Sequence, residues 1–460
     1  MTTLWWIRRD LRLTDNAALH AALEPFDSAQ DKAGPVIPVF LLDPAFDSAS
    51  PRRKDFLYEG LHALDKDLRR RNSYLVIRTG KPLDVLRQLL LETQADAIVA
   101  EEDFTPYARR RDAELEHHLP LQLIPGQTVH HPATVLKADG KPYTVFTPFS
   151  KAWKARLTKL ALYPAPTDLK TPAGVASEPL PRYKVSPLFP AGEHEALVRL
   201  DEFLHKRIYA YGDDRNRMDL EGTSSLSPYL RFGMLGLRQA VASAQQAWAE
   251  GRSTESRKSA ETWLNELIWR EFYIQILYHF PQVAQTAFNA SLANIPWRNN
   301  EAEFAAWKDG RTGVPIVDAT MRQLKEIGWM HNRARMIVAS YLVKDLLIDW
   351  RWGEAWFMQN LLDGDLAANN GGWQWTAGTG TDAAPYFRVF NPVLQSAKFD
   401  PQGEYIRRWV PELRDVETKH IHAPWEAGLK IPGYPSQPLV ERNIERTLLA
   451  YKFSKEIVRA

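Results

Sequence analysis

No cysteine occurs among the 460 residues. That excludes disulfides, thiolate metal sites and cysteine nucleophiles, and it suits a reducing compartment. Long apolar runs are missing as well, none approaching the ~18 residues that a membrane span needs. The opening MTTLWWIRRDLR reaches charge after a few apolar residues, so it does not read as a secretory signal. Charge of one sign is scarce: 58 basic and 56 acidic residues leave a net +2. Any grip on a polyanion therefore has to come from a local patch. The glycine signatures that cradle phosphates are absent, and Gly80-Lys81-Pro82 lacks the long glycine loop of a nucleotide-binding turn. Neither GxSxG nor HExxH is present, which leaves no evident hydrolase. His117-His118 and His130-His131 are adjacent pairs, and adjacent side chains do not face one site. His331 has no second histidine at ligand spacing, so no metal is expected. The expectation is a soluble cytoplasmic monomer, associated with the nucleoid if bacterial.

The remaining composition, 45% hydrophobic and 25% charged, is that of a folded chain long enough for two or three cores. In the first 125 residues, TLWWI, VIPVFLL, SYLVIR and ADAIVA read as buried strands. Helical periodicity lies between them at 16–24, 55–71, 82–93 and 106–118. This alternation predicts a doubly wound parallel α/β domain over 1–125. Twelve of the 31 prolines fall between Pro120 and Pro190, so 126–192 reads as a proline-rich connector with one short helix near 151–162. Residues 193–460 read as a mostly α-helical domain. Helices are expected at 261–280, 316–327 up to Gly328, 332–349 and 439–453.

Ten of the 16 tryptophans lie between Trp263 and Trp375. In TWLNELIWREFY, Glu266, Trp269, Arg270 and Tyr273 share one helical face by their spacing. A solvated amphipathic face would explain that segment by itself. In WMHNRARM, Asn332, Arg335 and Met336 share another face, and Asp365 and Asn369 are spaced i, i+4. Arg335 and Asp363 are candidates for a buried pair, because a lone buried charge is too costly. Beside arginines, His331 reads as a structural hydrogen-bonder. Together these polar, tryptophan-rich segments, with the glycine and asparagine pairs of DGDLAANNGGWQWTAGTGTD, predict a lined pocket for a large flat ligand. The run Thr223, Ser224, Ser225, Leu226 and Ser227 before Pro228 suits a helix start that can cap itself or hold phosphate.

Long ordered motifs carry a resemblance over nearly the whole chain: WWIRRDLRLTDNAAL, EGTSSLSPYLRFG, WLNELIWREFY, GVPIVDATMRQL, GWMHNRARMIVASYLVKDLLIDW and GDLAANNGGWQWTAGTGTDAAPYFRVFNP. The chain resembles the photolyase/cryptochrome family, in its class I branch of cyclobutane pyrimidine dimer photolyases. The resemblance implies an α/β domain, a long linker and a helical domain that holds FAD. It further implies light-driven electron transfer from reduced FAD into a DNA dimer that has left the duplex, with the electron returning afterwards.

By position, the resemblance assigns Tyr211, Thr223, Ser224, Ser225, Leu226 and Ser227 to the phosphate side of the cofactor. Trp263, Arg270, Trp329, Arg335, Asp363, Asp365 and Asn369 fall at flavin positions, Asn369 facing N5. Glu266, Asn332, Trp269, Trp375 and Met336 would meet the dimer, and Trp373, Trp350 and Trp297 would form the electron-transfer chain to solvent. Arg215, Arg333, Gln395 and Lys398 would contact DNA.

The family's folate-binding glutamate is replaced in TPYARRRD, where Tyr107 and Ala108 stand. A second antenna chromophore is thus left between a deazaflavin, a flavin and none. Two neighbouring readings stay open. A cryptochrome photoreceptor is disfavoured by Asn369 and by the intact Glu266, Trp269 and Trp375 set. A (6-4) photoproduct photolyase is disfavoured by Asn332 and Met336, where a histidine pair would be expected.

Overall fold

Burial dictates the first sheet. Five short runs, nearly all apolar, form β1 (Thr3–Ile7), β2 (Val36–Leu42), β3 (Val76–Thr79), β4 (Ala97–Glu101) and β5 (Leu121–Ile124). In the computed structural model, which describes residues 2–24, 34–383 and 385–457, they pair in parallel in the order β3-β2-β1-β4-β5. The central strand β1 lies in register with Thr3 opposite both Val36 and Ala97. Strands covered by helices on both faces need unbroken apolar sequence, and β1 and β4 are buried along their whole length. The expected doubly wound fold is present, with the helices Ala17–Leu23, Pro51–Arg69, Pro82–Thr93 and Pro106–His118 alternating with the strands.

The chain forms two compact units. One comprises Met1–Tyr143, Thr147–Tyr209 and Ser224–Tyr278; the other comprises Thr144–Phe146, Ala210–Thr223 and His279–Ala460. The first unit includes the sheet and ends on the long helix Thr254–His279, which stops before Pro281 as expected. A buried carboxylate locks this helix to the proline-rich connector. Glu271 accepts from Trp153 Nε1 at 2.6 Å, from the Val129 amide at 2.5 Å and from the His130 amide at 3.4 Å. Burial pushes its carboxyl up to about 7, against the pull of those three donors.

The second unit is helical around Trp307, Val317, Ile337, Leu342 and Ile406, all almost fully buried. Asp318 staples it by accepting from the Thr312 amide (2.6 Å), the Thr312 hydroxyl (2.7 Å), the Gly313 amide (3.0 Å) and the Tyr434 hydroxyl (2.7 Å). The helix Pro315–Ile327 stops where expected, at a left-handed Gly328.

Several boundaries differ from the sequence reading, among them the start of the helix expected at 261–280, which is Thr254. The strand in SYLVIR is only Val76–Thr79, and β5 lacks a strong signal because its four residues are half exposed at the sheet edge. The connector's helix is Phe146–Arg156, with Pro148 in its first turn, and the chain is irregular beyond it. The helix expected over 332–349 is α-helical only for Asn332–Ser340. It passes through a π turn at Tyr341–Asp345, capped by Leu346, and Leu347 beyond it is left-handed (φ +53°). The last helix is Ile444–Ile457, delayed past Pro438 and started where Asn443 accepts from the Arg446 amide.

Glu271→Gln puts an NH₂ group in front of one of three N–H donors. The fold is expected to lose about 1–3 kcal/mol, read as a lower thermal midpoint.

Candidate functional site

In the first unit, the helix Thr254–His279 presents Glu266, Trp269, Arg270 and Tyr273 as a half-exposed stripe, while Leu267, Ile268, Glu271 and Phe272 beside them are buried. Trp269 and Tyr273 lie with ring centroids 5.5 Å apart and planes tilted 33°, as i, i+4 neighbours do. Arg270 donates to the Leu230 carbonyl at 3.3 Å. Trp263 is not on the stripe; it is buried against Phe203 at 5.0 Å. Ser225 is left-handed (φ +51°), Leu226 is buried, and the helix Ser227–Phe232 begins with Pro228 in its first turn and no side-chain cap. The serine run therefore does not cap this helix.

In the second unit, the expected pair forms. Arg335 Nη2 donates to Asp363 Oδ2 at 2.8 Å, and its Nε donates to the Met330 carbonyl at 3.0 Å. Asp363 is 8% exposed, and its Oδ1 is buried with no protein partner. Asp365 is the N-cap of the helix Leu366–Ala377, where its Oδ1 accepts from the Ala367 and Ala368 amides. One turn on, the Asn369 Nδ2 donates to the Glu354 carbonyl and to its Oε1, both at 3.0 Å. Burial raises the Glu354 carboxyl above its ordinary range. Sequence reasoning missed Glu354, because nothing in WRWGEAWF marks it. On the same helix a Cβ at Gly372 would meet nothing within 4 Å. An orphaned acceptor at Asp363, an amide held by Glu354 and open space over Gly372 fit a flat ligand with polar edges. Such a group fits these residues as FAD would.

His331 is the structural hydrogen-bonder expected. Its Nδ1 accepts from the Arg333 amide and caps the helix Asn332–Ser340. Burial, then Arg333, Arg335 and Arg215, push its pKa down to about 4, so the ring is neutral at pH 7. Asn332 at the helix start is exposed, Met336 is half buried, and Arg333 reaches the Met336 sulfur at 3.6 Å. Trp329 is also half buried, and Tyr211 is buried at the start of its short helix.

The two tryptophans of the GGWQW segment have different surroundings. Trp375 is half exposed. Trp373 is 2% exposed, packs on Phe357 at 4.9 Å and has an Nε1 without a partner. Its ring lies where a Cβ on Gly353 would stand, 2.1 Å away, so only glycine fits there. Trp350 shares that core, and the half-buried Trp297 packs against it as well as against a second cluster containing Leu347 and Tyr451. Trp373 and Trp350 thus sit in one hydrophobic core, with Trp297 packed against it.

Arg333 and Lys398 both lie over the Phe399 ring, at 4.5 and 5.4 Å. Arg333 donates to Asn216 Oδ1, Arg215 lies over Tyr211, and Gln395 is half exposed on the helix Pro392–Phe399. This gathers a small basic patch, to which sequence reasoning did not assign Asn216. No group of three metal-binding side chains occurs among the described residues. In TPYARRRD, Ala108 is buried and the Tyr107 hydroxyl donates to Asp43 at 2.6 Å.

Residues 3–172 match the family described as DNA photolyase, and residues 263–454 match the FAD binding domain of DNA photolyase. A deoxyribodipyrimidine photo-lyase of Synechococcus sp. is 42% identical over 96% of this chain and 94% of its own. The chain belongs to the DNA photolyase family. Its fold is similar to that of a class III photolyase from Agrobacterium tumefaciens, with a TM-score of 0.91 at 37% identity, covering 99% of this chain and 98% of that one. An archaeal photolyase from Sulfolobus tokodaii solved with two FAD molecules gives 0.82 at 32% identity, with coverage of 99% and 100%. A Synechocystis cryptochrome gives 0.85 at 30%, with 98% of each chain covered. Membership in this family makes FAD the cofactor.

Gly372→Leu is expected to keep or slightly raise the thermal midpoint, since a helical glycine costs about 1 kcal/mol. The side chain fills the open face, so the purified protein is expected to lack the flavin absorbance of the parent.

Proposed function

We propose that this chain is a cyclobutane pyrimidine dimer photolyase, acting as a monomer on damaged DNA. The observation that carries the reading is the Arg335–Asp363 pair with its free buried Oδ1, beside Asn369 and the open Gly372 face. FAD supplies the light absorption and the electron. Residues Tyr211, Thr223, Ser224, Ser225, Leu226, Ser227, Trp263, Arg270, Trp329, Arg335, Asp363, Asp365 and Asn369 are its proposed holders. Asn369, with its Nδ2 committed to Glu354, offers its Oδ1 to the flavin N5–H.

Glu266 and Asn332 hydrogen-bond the dimer. For Glu266 this role requires a protonated or proton-sharing carboxyl, because a carboxylate would repel the negative charge that develops on the bases. Trp269 and Trp375, both half exposed, stack on the linked bases, and Met336 lines the same place. Arg215, Arg333, Gln395 and Lys398 hold phosphates, and their small number predicts salt-sensitive affinity. Trp373, Trp350 and Trp297 carry electrons inward from solvent.

A cryptochrome-type photoreceptor is the second reading; the Synechocystis cryptochrome shares the fold at 30% identity, below the 37% and 32% of the two photolyases, so it is not favoured. The deciding measurement mixes reduced protein with oligonucleotides carrying a cyclobutane thymine dimer or a (6-4) lesion, and follows restored thymine in light and dark. Light-dependent repair of the first lesion alone is expected. Repair of the (6-4) lesion overturns the substrate, and repair of neither moves the chain to the photoreceptor class. Trp373→Phe is expected to abolish flavin photoreduction and to spare repair by chemically pre-reduced enzyme; photoreduction at the parent rate would remove Trp373 from the chain of donors.

A further inference from the structure

The side-chain amide of Asn369 donates to two acceptors on one residue, the Glu354 carbonyl and its Oε1, each at 3.0 Å. A backbone carbonyl only accepts, so the amide turns its NH₂ towards Glu354 and its oxygen away, whatever the state of the carboxyl. Gly372 follows three residues later, on the same face of the helix, and a Cβ there would meet nothing within 4 Å. The Glu354 carboxyl therefore stands one side chain back from the open face and is joined to it through the Asn369 amide.

Glu354 is half buried. Burial raises its carboxyl above the ordinary range, while the Asn369 amide pulls the other way, and no charged side chain among the described residues contributes. The helix Leu366–Ala377 that faces it carries none. On the packed π turn, Lys344 donates to the Ala377 and Tyr386 carbonyls, and Asp345 is answered by Arg442 and Arg446. Arg351, on the same helix as Glu354, is forked onto Asp349. On the helix Glu301–Lys308, Glu303 is paired with Arg298 and Lys308 lies over Trp356. A half-buried acid without a cation of its own responds strongly to any charge placed beside it.

We propose that Glu354 takes up a proton when the flavin beside Asn369 is reduced, so that the protein gains one proton beyond the one that goes to N5. The proposal rests on the reading of Asn369 as the residue that faces N5. Two electrons and one proton leave the flavin with a negative charge. That charge and an ionised Glu354 repel each other across one amide, where water screens little. Glu354 relieves the repulsion by taking a proton from water, and no bond between protein and flavin forms or breaks. Below the protonation midpoints of both redox states Glu354 is neutral throughout and adds nothing. Above both it stays ionised and opposes reduction. A repulsion that changes its proton affinity about tenfold removes about tenfold from the reduction equilibrium as the pH rises through that window.

The test is an equilibrium redox titration of the FAD-loaded protein against reference dyes, with dithionite as the electron donor, from about pH 5.5 to 9. The parent is compared with Glu354→Gln, which keeps an Oε1 acceptor for Asn369 and cannot ionise. The two proteins should agree at the acid end, and the variant should be about tenfold easier to reduce at the alkaline end. A purely structural effect would offset the two curves equally at every pH. Infrared difference spectra of the parent should gain the C=O band of a protonated carboxyl on reduction within the window, and the variant should not. Curves that coincide or run parallel overturn the proposal. Divergence without the carboxyl band overturns it too, because the proton then goes elsewhere. A flavin spectrum and reduction equilibrium in Asn369→Leu equal to the parent's would remove Asn369 from N5, a separate failure that takes the underlying reading down.

Discussion

Arg335 and Asp363, 2.8 Å apart, set the terms for the rest of the helical unit. A carboxylate buried this deeply persists only if donors or a cation answer it, and here the answer is an arginine on the helix Asn332–Ser340, 28 residues away in the chain. The pair therefore ties the helix Asn332–Ser340 to the segment that leads into the helix Leu366–Ala377. Its consequences spread along both elements. Asn332 and Met336 lie within one turn of Arg335, Asp365 is the N-cap two residues beyond Asp363, and Asn369 lies one turn into the helix that Asp365 caps. Burial, with the arginine crowding behind it, also settles the state of His331, which stays neutral and serves as an N-cap.

Around that polar centre the unit is packed with aromatic rings. Trp373 is accommodated because residue 353 has no side chain, and any Cβ there would intersect its ring. Dense packing of this kind holds large rings in single orientations, a precondition for electron transfer over fixed distances. The open face at Gly372 is one residue before the ring that leans on Gly353. One helix thus turns a packed side to the core and leaves an open side at Gly372.

Charge is used sparingly. With a net +2 the chain lacks a general attraction for nucleic acid, and the Arg333–Phe399–Lys398 cluster concentrates what there is. Aromatic faces under these cations lower the cost of keeping two positive groups close together. Buried carboxylates elsewhere, Glu271 and Asp318, are satisfied by three and four donors and act as staples.

The sheet, the helix that stops before Pro281, the helix ending at Gly328 and the Arg335–Asp363 pair were all legible in the residues. Each follows from a local rule: apolar runs bury, proline stops a helix, glycine closes one, and a buried charge finds its opposite. The motifs also made FAD and the photolyase family legible, because long ordered strings leave little room for coincidence. The rest lies where distant segments meet. The spacing in WRWGEAWF does not say that Glu354 will hold Asn369. A serine run does not say that its helix will go uncapped, and a continuous helical pattern over 332–349 does not say that a π turn will interrupt it at Tyr341. These outcomes depend on which group stands opposite after packing, and sequence periodicity reports the face a residue occupies without naming its partner.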